Sequence, residues 1–570
     1  MKNDERTSSI SGLKESPLRS RVKSTRSQLF LALTIIAALL LSACADKKPQ
    51  GEVAYNNANR PATVEDVKAG TVASSNTMTD ARPMPGRDEA VNGNTEAYSH
   101  IDENPFLDVA HAPLSTFSVD VDTASYSNTR RFLKDGQLPP KDAVRIEELI
   151  NYFTYDYPQP VGDAPFSVTA EISEAPWNPS HRLVHIGLQG KRIPMENLPP
   201  ANLVFLLDVS GSMNEPLKLP LVKSAMKMLT EQLTSRDRVA MVVYAGSSGL
   251  VLPPTSGERK GEILAAIDRL EAGGSTNGGQ GIQLAYKLAE ENFIKGGVNR
   301  VILATDGDFN VGVTNEGDLV RLIEEKRQSG VFLSVLGFGT GNVKDSTMEK
   351  LADRGNGNYA YIDSTEEARK VLGEQIGGTL FTIAKDVKIQ VEFNPKQVAA
   401  YRLIGYENRL LRDQDFNDDT KDAGEIGAGH TVTALYEVVP FGQKFENPGV
   451  DPLKYQQPVK PSEMAGSNEL MTVKLRYKEP SQNQSKLVSV SLADSRAKLD
   501  AASDNFKFAS AVAAFGMLLR DSKYKADASY NKVIELARAS LGADPQGYRS
   551  EFIQLAETAR MLFSHRASRE

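Results

Sequence analysis

Asp208, Ser210 and Ser212 follow one another at alternate positions directly after the apolar run Leu203-Val204-Phe205-Leu206-Leu207. A second apolar run, Val301-Ile302-Leu303-Ala304, closes in the same way on Thr305, Asp306, Gly307 and Asp308. Between them lies Gly273-Gly274-Ser275-Thr276-Asn277-Gly278-Gly279, a glycine-rich turn able to bring a hydroxyl close to both. The hydroxyls of Ser210, Ser212 and Thr276 with the carboxylates of Asp208 and Asp306 make an all-oxygen shell suited to a hard divalent cation. Mg2+, or Mn2+ in its place, fits best, because it takes few protein ligands and keeps several waters. An Asp or Ser that merely caps a helix satisfies its role with one side chain, whereas these five positions recur on three separate loops.

The elements that must position these groups are legible around them. A continuous apolar run closed by Asp, Ser and Gly reads as a strand buried on both faces, and such strands belong to parallel sheets covered by helices. Pro216 is placed to open a helix running to about residue 234. Downstream, 238–244 and 249–252 read as a strand pair, 262–270 and 281–293 as amphipathic helices, and 300–304 as a strand. The alternation continues with a helix at 318–328, a strand at 331–338, a helix at 348–352, a strand at 359–362 and a helix at 366–372. This pattern predicts an α/β fold with a doubly wound, mostly parallel sheet and right-handed crossovers over residues 198–378. In such a sheet ligands bind beyond the carboxyl ends of the strands where strand order reverses, the place where the oxygen-bearing loops fall.

The order Asp208-x-Ser210-x-Ser212, Thr276, Asp306 resembles the metal-ion-dependent adhesion site of von Willebrand factor type A (VWA) domains. The resemblance implies that the serines and the threonine bind the ion directly or nearly so, while the aspartates act directly or through water. It also implies metal-dependent protein binding, without naming the ligand.

The chain has 570 residues, 40% of them hydrophobic and 24% charged, enough for several soluble domains. A net charge of -7 argues against nucleic acid as the main partner. A single cysteine excludes an intramolecular disulfide, so each core must hold itself together. That cysteine has another use. Arg19, Arg21, Lys23 and Arg26 precede an apolar segment from Leu29 to Leu40 with the length and flank of a signal-peptide core, and Leu41-Ser42-Ala43-Cys44 follows at once. The tetrapeptide resembles a bacterial lipobox. The resemblance implies cleavage before Cys44, acylation of its thiol, and, with Ala45 next, an outer-membrane lipoprotein facing the periplasm and held in the lipid bilayer by its acyl chains.

Residues 1–43 are thus expected to be a lipoprotein signal peptide and 44–100 a tether, since the latter lacks any periodic apolar pattern. An N-terminal extension (101–197) carries helices near 126–134 and 144–153 and strands at 166–172 and 182–188. Asp120 and Asp122 invite a metal reading, but they precede a helix start at Thr123 to Ser125, and the cap is the simpler reading. His111, His181 and His185 have no metal-ligand companions and read as surface or packing residues. Beyond 378 a β-rich region (379–495) and a C-terminal helical region (496–570, helices at 508–519, 530–541 and 548–563) follow. Strands on both sides of the central domain are expected to share one β-sandwich into which it is inserted.

The whole order resembles that of bacterial VWA-domain lipoproteins. The expected function is a membrane-anchored, divalent-metal-dependent protein-binding module of the bacterial envelope, whose partner offers an Asp or Glu to the metal. A periplasmic metal-dependent hydrolase is the alternative. It needs a base or nucleophile poised by a second group, and the chain has no H-E-x-x-H, no G-x-S-x-G and no histidine in these loops, so no enzymatic activity is expected.

Overall fold

The computed structural model describes residues 96–119, 122–246, 248–274, 278–307, 316–341, 343–445, 454–455 and 460–568. The lipobox, residues 44–95 of the expected tether, Thr276 of the site and the neighbouring Asp308 lie outside the described residues. Residues 96–100, expected to belong to the tether, are instead packed against the folded part: Glu96 pairs with Arg131 at 2.9 Å and Ala97 N–H donates to Val343 O at 3.1 Å. No helix among the described residues is long and apolar enough to cross a membrane.

In chain order, strands β1 (Leu107–Asp108) and β2 (Leu114–Ser118) precede helices Ala124–Lys134 and Ile146–Asn151 and the hairpin β3 (Phe166–Ala175) with β4 (Asn178–Gly190). The central domain then runs β5 (Ala201–Asp208), helix Leu219–Gln232, β6 (Arg238–Tyr244), β7 (Ser248–Ser256), helices Lys260–Asp268 and Gly278–Glu291, and β8 (Val298–Thr305). It continues with helix Glu316–Arg327, β9 (Phe332–Phe338), helix Asp345–Arg354, β10 (Tyr359–Ile362) and short helices at Thr365–Arg369 and Ile376–Leu380. The remainder is β11 (Thr382–Phe393), β12 (Val398–Ile404), β13 (Ile426–Gly427), β14 (Thr431–Pro440), β15 (Glu469–Lys478), β16 (Lys486–Ala493) and helices Asp504–Arg520, Tyr530–Ala539 and Tyr548–Ala567.

The central sheet has the order β10-β9-β8-β5-β6-β7, parallel except for the edge strand β7. Successive β5 side chains serve opposite faces, as strand geometry requires. Leu203, Phe205 and Leu207 pack with Val222, Met226 and Ile263, while Val204 and Leu206 pack with Ile282, Ala285 and Ile323. Both faces are covered, which is why the run is continuously apolar. The chain moves from β5 to β6 on one side and returns to β8 on the other, so strand order reverses at β5 itself.

The expected helix start at Pro216 is corrected by the structure. The chain first makes a short 3-10 turn at Gly211–Met213, and Lys218, at φ -114° and ψ -112°, is outside helical backbone. The helix opens at Leu219 with Pro220 in its first turn, where a missing N–H costs nothing.

The strands before and after the central domain form one sandwich. One sheet is β1-β12-β14-β4-β3, and the other is β13-β11-β15-β16 with β2 also paired to β11. Ile186, Val432 and Tyr436 of the first meet Ile389, Val391 and Val473 of the second in a shared core. The helices divide similarly: Tyr126, Ile150 and Phe153 pack with Phe508, Phe515 and Phe552 of the C-terminal region, Phe153 and Phe508 edge-to-face at 4.9 Å. Buried ion pairs fasten this assembly to the central domain. Arg130 meets Asp363, Glu367 and Glu551, and Arg145 meets Asp345 and Glu148.

Candidate functional site

Asp208 is the last residue of the central strand β5, and Asp306 directly follows β8 beside it, so two carboxylates stand at adjacent carboxyl ends. Both are fully buried. Asp208 Oδ1 accepts the Ser210 backbone N–H at 2.9 Å, an Asx turn that folds the loop back onto the strand end. This brings the Ser210 and Ser212 hydroxyl oxygens to 3.0 Å from one another. Ser210 is buried and Ser212 exposed, so the cluster meets solvent at Ser212.

Backbone bonds tie the first loop to the glycine-rich turn: Gly273 N–H donates to Val209 O at 2.8 Å and Gly211 N–H to Gly274 O at 3.0 Å. Gly274 has a φ of +85°, and a Cβ there would come within 3.2 Å of the Gly246 backbone nitrogen, so glycine is required for this approach. Gly273 and Gly274 are thus held against the Asp208 loop.

Burial pushes the Asp208 carboxyl up to about 6, and the nearby Asp306 charge adds to the rise while the Ser210 N–H works against it. The Tyr244 hydroxyl, buried against Asp208, is held well above its ordinary range by burial first and by that carboxylate second. Two groups that sequence reasoning missed complete the polar shell. Thr305 donates its hydroxyl to Asp208 Oδ2 at 3.3 Å and accepts the Gly307 N–H at 3.1 Å. Lys218 donates to Asp306 Oδ2 at 3.1 Å. Thr305 carried a signal, a hydroxyl residue at a strand end beside the aspartate; Lys218 carried none, since its contact bridges 88 positions.

The structure thus brings Asp208, Ser210, Ser212 and Asp306 to one end of the sheet. Among the described residues no group of three or more His, Cys, Asp and Glu side chains is gathered as a metal cluster. The set here is of another kind, two carboxylates whose charge matches a divalent cation, with neutral hydroxyls as further donors and one face open to solvent. That chemistry fits Mg2+ or Mn2+ and not a soft metal, which would want sulfur or imidazole. Asp120 lies outside the described residues; Asp122 accepts the Tyr359 N–H at 2.8 Å and pairs with Arg409 at 3.2 Å, so its carboxylate joins elements rather than capping a helix. His111 pairs with Asp108, His181 with Glu437, and His185 with the Tyr157 hydroxyl.

Residues 202–375 match the model of the von Willebrand factor type A domain. Residues 92–185 match a model described as von Willebrand factor, and 378–562 match one described as the C-terminal part of the uncharacterized protein YfbK. The chain is 46% identical to the uncharacterized protein YfbK of Escherichia coli (strain K12) over 478 residues, 82% of each chain. The chain belongs to the YfbK family of VWA-domain proteins. This chain thus carries its VWA domain between two other matched regions. A shorter similarity, 31% over 161 residues, covers 27% of this chain and 17% of the human inter-alpha-trypsin inhibitor heavy chain H4. Among solved structures, a von Willebrand factor type A protein from Catenulispora acidiphila is 17% identical, covering 65% of this chain and 86% of that one at a TM-score of 0.37. The BatB protein from Bacteroides thetaiotaomicron is 21% identical, covering 31% of this chain and 97% of that one at a TM-score of 0.27.

Proposed function

We propose that this protein is an adhesion or assembly module of the bacterial envelope whose VWA domain binds Mg2+ or Mn2+ and, through the ion, an Asp or Glu of a protein partner. Asp208, Ser210, Ser212, Thr276 and Asp306 would hold the ion. The observation that carries this reading is the convergence of two fully buried carboxylates and two serine hydroxyls at the strand-order reversal, open to solvent at Ser212. A bound divalent cation supplies a strongly attracting point for an anionic oxygen, and a charge-assisted contact there discriminates against partners that lack a carboxylate. Binding is preferred over hydrolysis because a hydrolytic site needs a base or nucleophile poised by a second group, and the chain carries no H-E-x-x-H, no G-x-S-x-G and no histidine in the site loops. The lipobox-like Leu41-Ser42-Ala43-Cys44 supports attachment to the outer membrane, facing the periplasm, through an acylated Cys44.

The test is a pull-down from detergent-solubilised envelope in Mg2+ and in EDTA. The partner should be retained in Mg2+, released by EDTA and weakened by Thr276→Ala, whereas Lys287→Ala, on the exposed face of helix Gly278–Glu291, should leave it unchanged. A partner that binds wild type and Thr276→Ala equally well in EDTA would show that the ion plays no part in recognition.

A further inference from the structure

The lysine beside the site changes its charge count. Lys218 sits where the loop after Met213 turns into helix Leu219–Gln232, and its side chain is only 4% exposed. Its stem runs past Gly339, directly after β9, where a Cβ would lie 2.5 Å from Lys218 Cε; Gly339 also has a φ of +80°, so the backbone there is shaped to leave the stem room. The ammonium reaches Asp306 Oδ2 at 3.1 Å, and the half-exposed Glu215 carboxylate lies at 3.6 Å. A long, hydrated side chain is costly to bury, and it is buried here with its charge directed at one of the two carboxylates of the site.

Resting on the proposed metal reading, we infer that Lys218 is a built-in counter-ion that competes with the divalent cation for Asp306 and leaves the loaded site cationic. Two aspartates and a divalent ion sum to zero, and Lys218 adds one positive charge; the Glu215 carboxylate at 3.6 Å is 57% exposed, so water screens its offset far more than it screens the buried groups. The Lys218 side chain therefore acts in opposite directions on the two binding steps. It weakens capture of the ion, because Asp306 must give up a charge-assisted bond and a like charge stays close. It strengthens capture of an acidic group, because a neutral centre becomes a cationic one. In the metal-free form it offsets part of the cost of holding two carboxylates out of water.

The experiment is Mn2+ binding to the full chain by electron paramagnetic resonance and calorimetry, comparing wild type, Lys218→Met and Lys218→Gln. Both variants should bind Mn2+ about tenfold more tightly than wild type, the loss of one charge-assisted competitor. Lys218→Met should also have a lower unfolding midpoint than wild type in EDTA, with the gap narrowing when Mn2+ is added. Lys218→Gln preserves a donor to Asp306 without the charge, so it tests the charge even where the methionine variant folds poorly. Wild-type and Lys218→Gln proteins that bind Mn2+ with equal affinity would overturn the role of Lys218 while leaving the metal site standing. Failure of all three proteins to bind Mn2+ would overturn the metal reading and this inference together.

Discussion

Replacing Arg130 by methionine removes the cation at the junction of three parts of the molecule while keeping a long apolar side chain in its place. Arg130 is 2% exposed and donates to both oxygens of Asp363, to Glu367 at 2.7 Å, to Glu551 at 3.2 Å and to the Tyr152 hydroxyl at 2.9 Å. Asp363 and Glu367, at 7% and 1% exposure, cannot turn to water when it goes. Burial pushes the Asp363 carboxyl up and Arg130 pulls it back; burial also opposes the charge of Glu367, but Arg130 and Lys370 outweigh it and hold that carboxyl below its usual range. Stranding a buried ion in this way costs about 3–5 kcal/mol. The sign of the pH dependence follows. Without Arg130, Asp363 loses the cation that works against burial and its folded-state pKa rises further above its unfolded one, while Glu367 keeps Lys370 and the Tyr152 hydroxyl. The folded state therefore takes up a proton on Asp363 at low pH and loses that support as pH rises through the folded value. The deficit of Arg130→Met against wild type, measured by urea unfolding, should be smaller at an acid pH than at a neutral one, growing as pH rises through the Asp363 value. A loss below about 1 kcal/mol at the higher pH, or one equal at both, would refute the reasoning, since it would mean that the carboxylates are solvated or already neutral.

Gly357 lies in the turn between helix Asp345–Arg354 and β10, and a Cβ there would fall 1.7 Å from the carbonyl oxygen of Leu333 in β9. Because that neighbour is strand backbone, Gly357→Ala should cost about 3 kcal/mol or more, and a thermal midpoint equal to wild type would contradict the placement. Metabolic labelling with a fatty acid in the bacterial host should mark the wild-type chain and leave Cys44→Ser unlabelled; equal labelling of the two would exclude Cys44 as the acylated residue.

The central fold was legible because its strands are buried on both faces. Apolar runs such as Leu203 to Leu207 have no reading but a covered sheet, and each ends on the polar cluster that the sheet needs at its carboxyl edge. The helix start after Met213 was misplaced because Pro216 and Pro220 both qualify for a first turn, and only the tertiary path of Lys218 decides between them. Of the candidate site, the loop positions of Asp208, Ser210, Ser212 and Asp306 followed from local pattern. The pairing of Lys218 with Asp306 did not, because a long side chain crossing from one loop to another has no period in the sequence. Asp122 misled for a related reason: an acidic residue before a helix looks like a cap, and its real partner, Arg409, is supplied by the sandwich 287 positions away.

Calorimetric titration of the full chain with Mg2+ and with Mn2+, comparing wild type with Asp208→Ala and Asp306→Ala, tests most directly whether the VWA domain holds a divalent cation. Wild type should bind one ion, and neither variant should bind, since removing a carboxylate leaves too little negative charge to offset the ion's lost hydration. Circular dichroism should be unchanged in both, because the altered side chains stand at strand ends rather than within the apolar layers. Undiminished affinity in both folded variants would contradict the account and place any bound ion elsewhere.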